Sequence, residues 1–165
     1  MKPSVYIETT IPSYLTARPT TDVVLAGRQQ LTIQWWAQRE RFFLYVSKLV
    51  LKEAGAGDPD AAARRLAALV GIPLLAPSND AEALASILMR EVRLPPKAES
   101  DALHVAIAAL NGIEYFLTWN CAHIANAVFR PKMEVVCEEF GVRCPTICTP
   151  EELLLETVPE VNPYD

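Results

Sequence analysis

The chain has 165 residues, 51% hydrophobic and 21% charged, enough apolar material for one buried core and too little for two domains. Its net charge of −5 and pI near 5.1 argue against a protein that grips long nucleic acid by general phosphate neutralisation, which needs a basic surface. No apolar run reaches the roughly 18 residues of a membrane span, and Met1-Lys2-Pro3-Ser4 leads straight into a strand-like run without signal-peptide character. The expected location is therefore the cytoplasm.

Residues 5–7 predict a short strand ending at Glu8, broken by Thr9-Thr10-Ile11-Pro12. Asp22 serves as the N-cap of a long helix over 22–41, and Trp35 and Trp36, as neighbours on it, point to different sides and read as packing or dimer contacts. Residues 42–46, FFLYV, form a second strand; Ser47 then opens a helix through Ala54 that the turn Gly55-Ala56-Gly57-Asp58-Pro59 closes. An Ala- and Leu-rich helix over 60–70 stops at Gly71, and 72–76 reads as a third strand. A helix over 79–91 is followed by Leu94-Pro95-Pro96, and 97–110 is an apolar helix ending in Asn111-Gly112. Residues 114–119 give a fourth strand. Pro131 and Gly141 bracket another helix, and 146–148 give a fifth strand. Thr149-Pro150-Glu151-Glu152 has the form of a capping box opening a last helix. The expected domain spans 1–157, with 158–165 a loosely ordered tail. Short apolar strands alternating with helices imply an α/β fold: a three-layer α/β/α sandwich around a mainly parallel sheet of about five strands.

Sites in open parallel sheets form beyond the carboxyl ends of the strands, and polar groups collect there. Glu53 shares a helical face with Val46, Leu49 and Val50, so an acid sits on a stripe that packs against the sheet and needs a cation or must protonate, unless it lies at the lip, solvated or paired with Lys52 or a nearby Arg. Asp101 lies in the first turn of a helix that is apolar nearly all round. Glu8 ends a strand that Glu ill suits. Three converging carboxylates repel one another without a cation, and an all-oxygen set suits Mg²⁺ or Mn²⁺. His104, alone in an apolar helix, reads as a satisfied core residue; His123, in the loop after Asn120 and Cys121, reads as a supporting group at the pocket mouth. The four cysteines fit neither a zinc pair nor a disulfide framework and read as small buried hydrophobes. No dinucleotide, P-loop or serine-hydrolase motif occurs.

Tyr6-Ile7-Glu8-Thr9-Thr10, Leu49-Val50-Leu51-Lys52-Glu53, Asp101-Ala102-Leu103-His104-Val105-Ala106 and Leu117-Thr118-Trp119-Asn120 resemble, in order, the four acidic-site blocks of the PIN-domain family, and within it the VapC-type toxins of bacterial toxin–antitoxin pairs. The resemblance covers about residues 3–150. It implies a PIN-like sheet, a Mg²⁺- or Mn²⁺-dependent ribonuclease, a homodimer and an antitoxin partner. By position, Glu8, Glu53 and Asp101 hold metal, Asn120 takes the place of a fourth acid, and Thr9 and Thr118 support the site. Two residues depart from the pattern: Glu8 stands where Asp is usual, and neutral Asn120 replaces an acid. Three formal negative charges in place of four favour one tightly held metal ion. A basic strip for RNA is expected from Lys48, Lys52, Arg64, Arg65, Arg90 and Arg93. The same residues leave open a non-catalytic binding module or, further off, a small phosphoester hydrolase.

Overall fold

The computed structural model describes residues 1–76 and 78–155. Four strands form one all-parallel sheet: β1 (Ser4–Ile7), β2 (Phe43–Tyr45), β3 (Tyr115–Leu117) and β4 (Thr146–Cys148), in the order β2-β1-β3-β4. Tyr6 in β1 pairs with Tyr45 on one side and Phe116 on the other. The central strands are apolar on both faces, and Val5, Tyr6, Ile7, Phe116 and Leu117 are buried accordingly.

Helices α1 (Thr10–Thr16) and α2 (Val23–Ala37), with a 3₁₀ turn at Arg39–Arg41, link β1 to β2. Helices α3 (Lys48–Ala54), α4 (Pro59–Leu69), α5 (Asn79–Val92) and α6 (Glu99–Leu110), with a 3₁₀ turn at Pro96–Ala98, link β2 to β3, and α7 (Arg130–Phe140) links β3 to β4. The arrangement is α/β and compatible with the expected three-layer sandwich. Capping fixes several boundaries: Asp22, Ser47, Asp58 and Ser78 each accept a backbone N–H from the helix they open. Gly141 ends α7 at φ 91°, which L side chains rarely adopt.

The sheet corrects the sequence reading in one respect: it has four strands, not about five. The expected strand at 72–76 shrinks to a single parallel bridge between Val46 and Leu74. There the Val46 N–H donates to the Pro73 carbonyl (3.0 Å) and the Leu75 N–H to the Val46 carbonyl (2.8 Å). The next outward-facing residue of β2 is Leu44, and continuing the ladder needs the N–H of residue 73, which proline lacks.

Other boundaries differ too. Thr9-Thr10-Ile11-Pro12 does not simply break the first strand but starts α1, because Pro12 falls in the first turn, where no N–H is needed. The Thr149 box forms, with the Thr149 N–H donating to Glu152 Oε1 (3.1 Å), yet it closes a turn, not a helix, through residue 155. The tail expected from Val158 lies outside the described residues. No helix among them is long and apolar enough to cross a membrane.

Candidate metal centre

The chain leaves β1 toward β2 on one side and later returns to add β3 on the other. The carboxyl ends of β1 and β3 therefore flank the point where strand order reverses, which opens a crevice in parallel sheets. Glu8 continues β1 into that crevice, its N–H donating to the Leu117 carbonyl (3.1 Å).

Glu8 is 4% exposed. Its Oε2 accepts from the Thr10 N–H (3.0 Å), the Thr10 hydroxyl and the Thr118 hydroxyl (2.8 Å). Among the described residues no group donates to Oε1, and no Lys or Arg reaches ion-pair distance. Burial pushes this carboxyl above its ordinary value, against the smaller opposing effect of the hydrogen bonds from Thr10 and Thr118.

Glu53 projects from α3 beside the buried Val50 and Ala54, its side chain 31% exposed. Oε1 accepts from Thr9 Oγ1 (2.5 Å) and His104 Nε2 (2.6 Å), and Oε2 accepts from Ser100 Oγ (2.6 Å). Burial alone raises this carboxyl, but the donors from His104, Ser100 and Thr9 together outweigh it and hold it at about 2. The two carboxylates thus differ: one is anchored and uncompensated, the other is stabilised as an anion.

His104 joins them to the core. It is fully buried on α6, and its ring edge meets Tyr6. Tyr6 Oη lies 2.6 Å from His104 Nδ1 and 2.7 Å from Ser47 Oγ. Burial keeps the Tyr6 hydroxyl protonated by raising it far above its ordinary value, so it must donate. One assignment satisfies every group: Ser47 donates to Tyr6, Tyr6 donates to Nδ1, and Nε2–H donates to Glu53. His104 is thus the satisfied core residue the sequence suggests, and also the residue that orients Glu53.

Among the described residues, Glu8, Glu53 and His104 each bring one ligand atom within 4.8 Å of the others. Both His104 nitrogens are already committed, Nε2 to Glu53 and Nδ1 to Tyr6. The oxygens of Glu8 and Glu53 are the donors left for a cation, and two carboxylates on fixed supports fit a hard divalent ion whose remaining positions take water.

Asp101 is not in that group. Its Oδ2 pairs with His123 Nδ1 at 2.9 Å, with the side chains 18% and 16% exposed. It precedes His104 by three residues on α6 and so shares its face. Asn120 Oδ1 accepts the His123 N–H (3.0 Å), and the Asn120 N–H donates to Thr118 Oγ1 (2.9 Å). The position expected for a fourth acid therefore builds the turn that holds His123 against Asp101. Of the basic strip, Arg65 is bound to the carbonyls of Ala54 and Ala56, Arg64 to that of Thr16, and Arg90 to Glu91. Thr10, Tyr6, Ser47 and Ser100 were not anticipated as site residues; only Thr10, beside Glu8 in sequence, carried any local signal.

The raised Glu8 carboxyl sets a sign. Its contribution to stability is complete below the ordinary value near 4.5 and is lost as pH rises through the raised folded value. Metal-free Glu8→Gln, which keeps an acceptor for all three donors, is expected to melt a few degrees above the wild type at about pH 7, a gap that closes toward about pH 4. Differential scanning calorimetry across that range checks it.

Comparison with protein-family models and with curated protein sequences returns no match.

Proposed function

We propose that this chain is a divalent-metal-dependent hydrolase of RNA phosphodiester bonds. The single observation that carries the proposal is Glu8: a buried carboxylate at the sheet's reversal point, one oxygen saturated by three donors, the other without a partner among the described residues, and Glu53 beside it. A carboxylate so placed either takes up a proton or is neutralised by a cation, and the ionised Glu53 beside it supports the cation.

Glu8 and Glu53 would hold the ion, with Asp101 on the neighbouring turn of α6 completing the acidic set. Bound there, Mg²⁺ or Mn²⁺ supplies Lewis acidity toward a phosphoryl oxygen and lowers the pKa of water. Thr10 and Thr118 fix Glu8; Thr9, Ser100 and His104 fix Glu53; and His123, held by Asn120, fixes Asp101. Each carboxylate is thus oriented before substrate arrives, which is what such a centre requires of the protein.

RNA as the substrate rests on the four ordered sequence blocks that resemble the PIN-domain family, as do a PIN-like three-layer architecture, a homodimer, a cytoplasmic setting and the role of toxin neutralised by an antitoxin. Asp101→Asn tests the assignment: RNA cleavage with Mn²⁺ is expected to fall at least about tenfold with the melting temperature nearly unchanged. Unaltered cleavage removes Asp101 from the site. Hydrolysis of a generic phosphomonoester with RNA left intact replaces the ribonuclease by a small phosphoester hydrolase.

A second reading has its own observation. The Asn120 side chain is consumed in a turn, so the centre has less charge than a two-metal site needs, and a PIN-like binding module follows from that deficit. Calorimetry with Mn²⁺ separates the two, because only the hydrolase needs a metal affinity that Glu8 and Glu53 control.

A further inference from the structure

Beside the acidic crevice stands a cation that no carboxylate among the described residues pairs with. Arg28 lies one turn before Thr32 on α2, and its guanidinium carbon is 5.4 Å from the centroid of the Trp119 ring. Its Nη1 donates to Tyr14 Oη (3.3 Å), and Nη2 lies 3.8 Å from Cys121 Sγ. The platform beneath it is fixed. Trp119 is 6% exposed, its Nε1 donates to Thr32 Oγ1 (2.8 Å), and its ring meets Tyr14 at 6.0 Å between centroids.

This assembly is connected to the carboxylates. The Trp119 N–H donates to Thr10 Oγ1 (2.8 Å), the same hydroxyl that donates to Glu8. Tyr14 follows Thr10 by four residues on α1, so both lie on one face about one helical turn apart. Arg28 is therefore a neighbour of the crevice but not part of it.

Its charge is uncommitted. Among the described residues no carboxylate lies within ion-pair distance of Arg28, whereas Arg90 pairs with Glu91 and Arg130 with Glu152. Arg39, Arg64 and Arg65 are spent on backbone carbonyls. Arg39 also lies over an indole, 5.4 Å from the Trp36 centroid, but it donates to the Trp36 carbonyl, whereas Arg28 is partly buried beside the crevice with no carboxylate or carbonyl partner among the described residues. Its remaining N–H groups form a preorganised fork suited to phosphate oxygens, with little side-chain entropy left to lose on binding.

We propose that Arg28, held on Trp119 and by Tyr14, binds a backbone phosphate of a single-stranded RNA, next along the strand from the phosphate at the acidic crevice. The inference rests on reading the crevice as a phosphodiesterase centre, and it explains how an acidic protein retains a polyanion: one placed cation takes the place of a basic surface.

The experiment measures binding of a fluorescein-labelled single-stranded oligoribonucleotide by anisotropy over a salt series, with Ca²⁺ in place of Mn²⁺. Wild type, Arg28→Ala and Arg28→Lys are compared. Arg28→Ala is expected to bind about tenfold more weakly, with the slope of log affinity against log salt shallower by about 0.7, the share of one single-strand phosphate contact. Arg28→Lys keeps the slope but loses part of the affinity, because an ammonium does not lie flat on Trp119. Melting within a few degrees of wild type in both variants excludes loss of fold as the cause. Wild-type binding that Arg28→Ala matches in affinity and slope overturns the phosphate site and leaves the hydrolase reading intact. No binding by the wild type overturns both this site and RNA as the substrate.

Discussion

Glu53→Gln is expected to weaken Mn²⁺ binding by more than about 100-fold and to reduce RNA cleavage at least as much. The substitution keeps the shape of the side chain and removes its charge. Glu53 Oε1 and Oε2 accept three hydrogen bonds, from Thr9, His104 and Ser100. These hold the carboxyl at about 2, so it is an anion at neutral pH. A glutamine amide keeps one accepting oxygen and sets an NH₂ among donors that need acceptors.

Stability follows the same charge. Because the folded value lies below the ordinary one near 4.5, Glu53 contributes stability above pH 4.5 that is lost as pH falls toward about 2. Solvent at this partly exposed side chain screens the effect to about 1–2 kcal/mol. In chelator, Glu53→Gln should melt a few degrees below wild type at about pH 7 and match it near pH 2. Added Mn²⁺ should raise the melting temperature of the wild type alone. Equal Mn²⁺ isotherms for the two proteins would remove Glu53 from the centre.

The second large effect falls on His104. Its ring fills space in the core of α6 while bonding Tyr6 at one nitrogen and Glu53 at the other. His104→Ala leaves a cavity, takes the acceptor from a buried tyrosine hydroxyl and takes a donor from Glu53. Those losses sum to about 3–5 kcal/mol, or about 10 °C in melting temperature. Loss of fold alone would not show a positioning role, so His104→Phe is the informative partner. It restores volume but not the hydrogen bonds, and with Tyr6→Phe it should show a coupling of about 1–2 kcal/mol. Having lost its largest opposing hydrogen bond, the Glu53 carboxyl rises, and Mn²⁺ affinity in His104→Phe should fall about 10- to 100-fold. Unchanged Mn²⁺ affinity would make His104 a purely structural residue.

Glu8 and Glu53 were legible in the sequence because each breaks a local rule: one ends an apolar strand, the other interrupts an apolar helical stripe. The features that escaped depend on partners distant in sequence. Pro73 stops a fifth strand only because the register against β2 sets its missing N–H opposite Leu44, which no local pattern reveals. Pro12 reads as a breaker until its place in the first turn of α1 is fixed. Asp101 and His104 share a helix face, yet side-chain type alone does not show that the histidine reaches Glu53 and the acid reaches His123. Arg28 lies among residues with no marked pattern, and its contact with Trp119 emerges only when the chain leaving β3 brings that indole against α2.

The most direct measurement is cleavage of an end-labelled oligoribonucleotide by the purified chain, with Mn²⁺ and with chelator, followed by analysis of the new ends. Metal-dependent hydrolysis at the Glu8–Glu53 centre predicts cleavage with Mn²⁺, none with chelator, and ends carrying a linear phosphate, because water is the nucleophile. Cleavage that persists in chelator, ends in a 2′,3′-cyclic phosphate, or survives Glu53→Gln would contradict it, as would an RNA left whole with both Mg²⁺ and Mn²⁺.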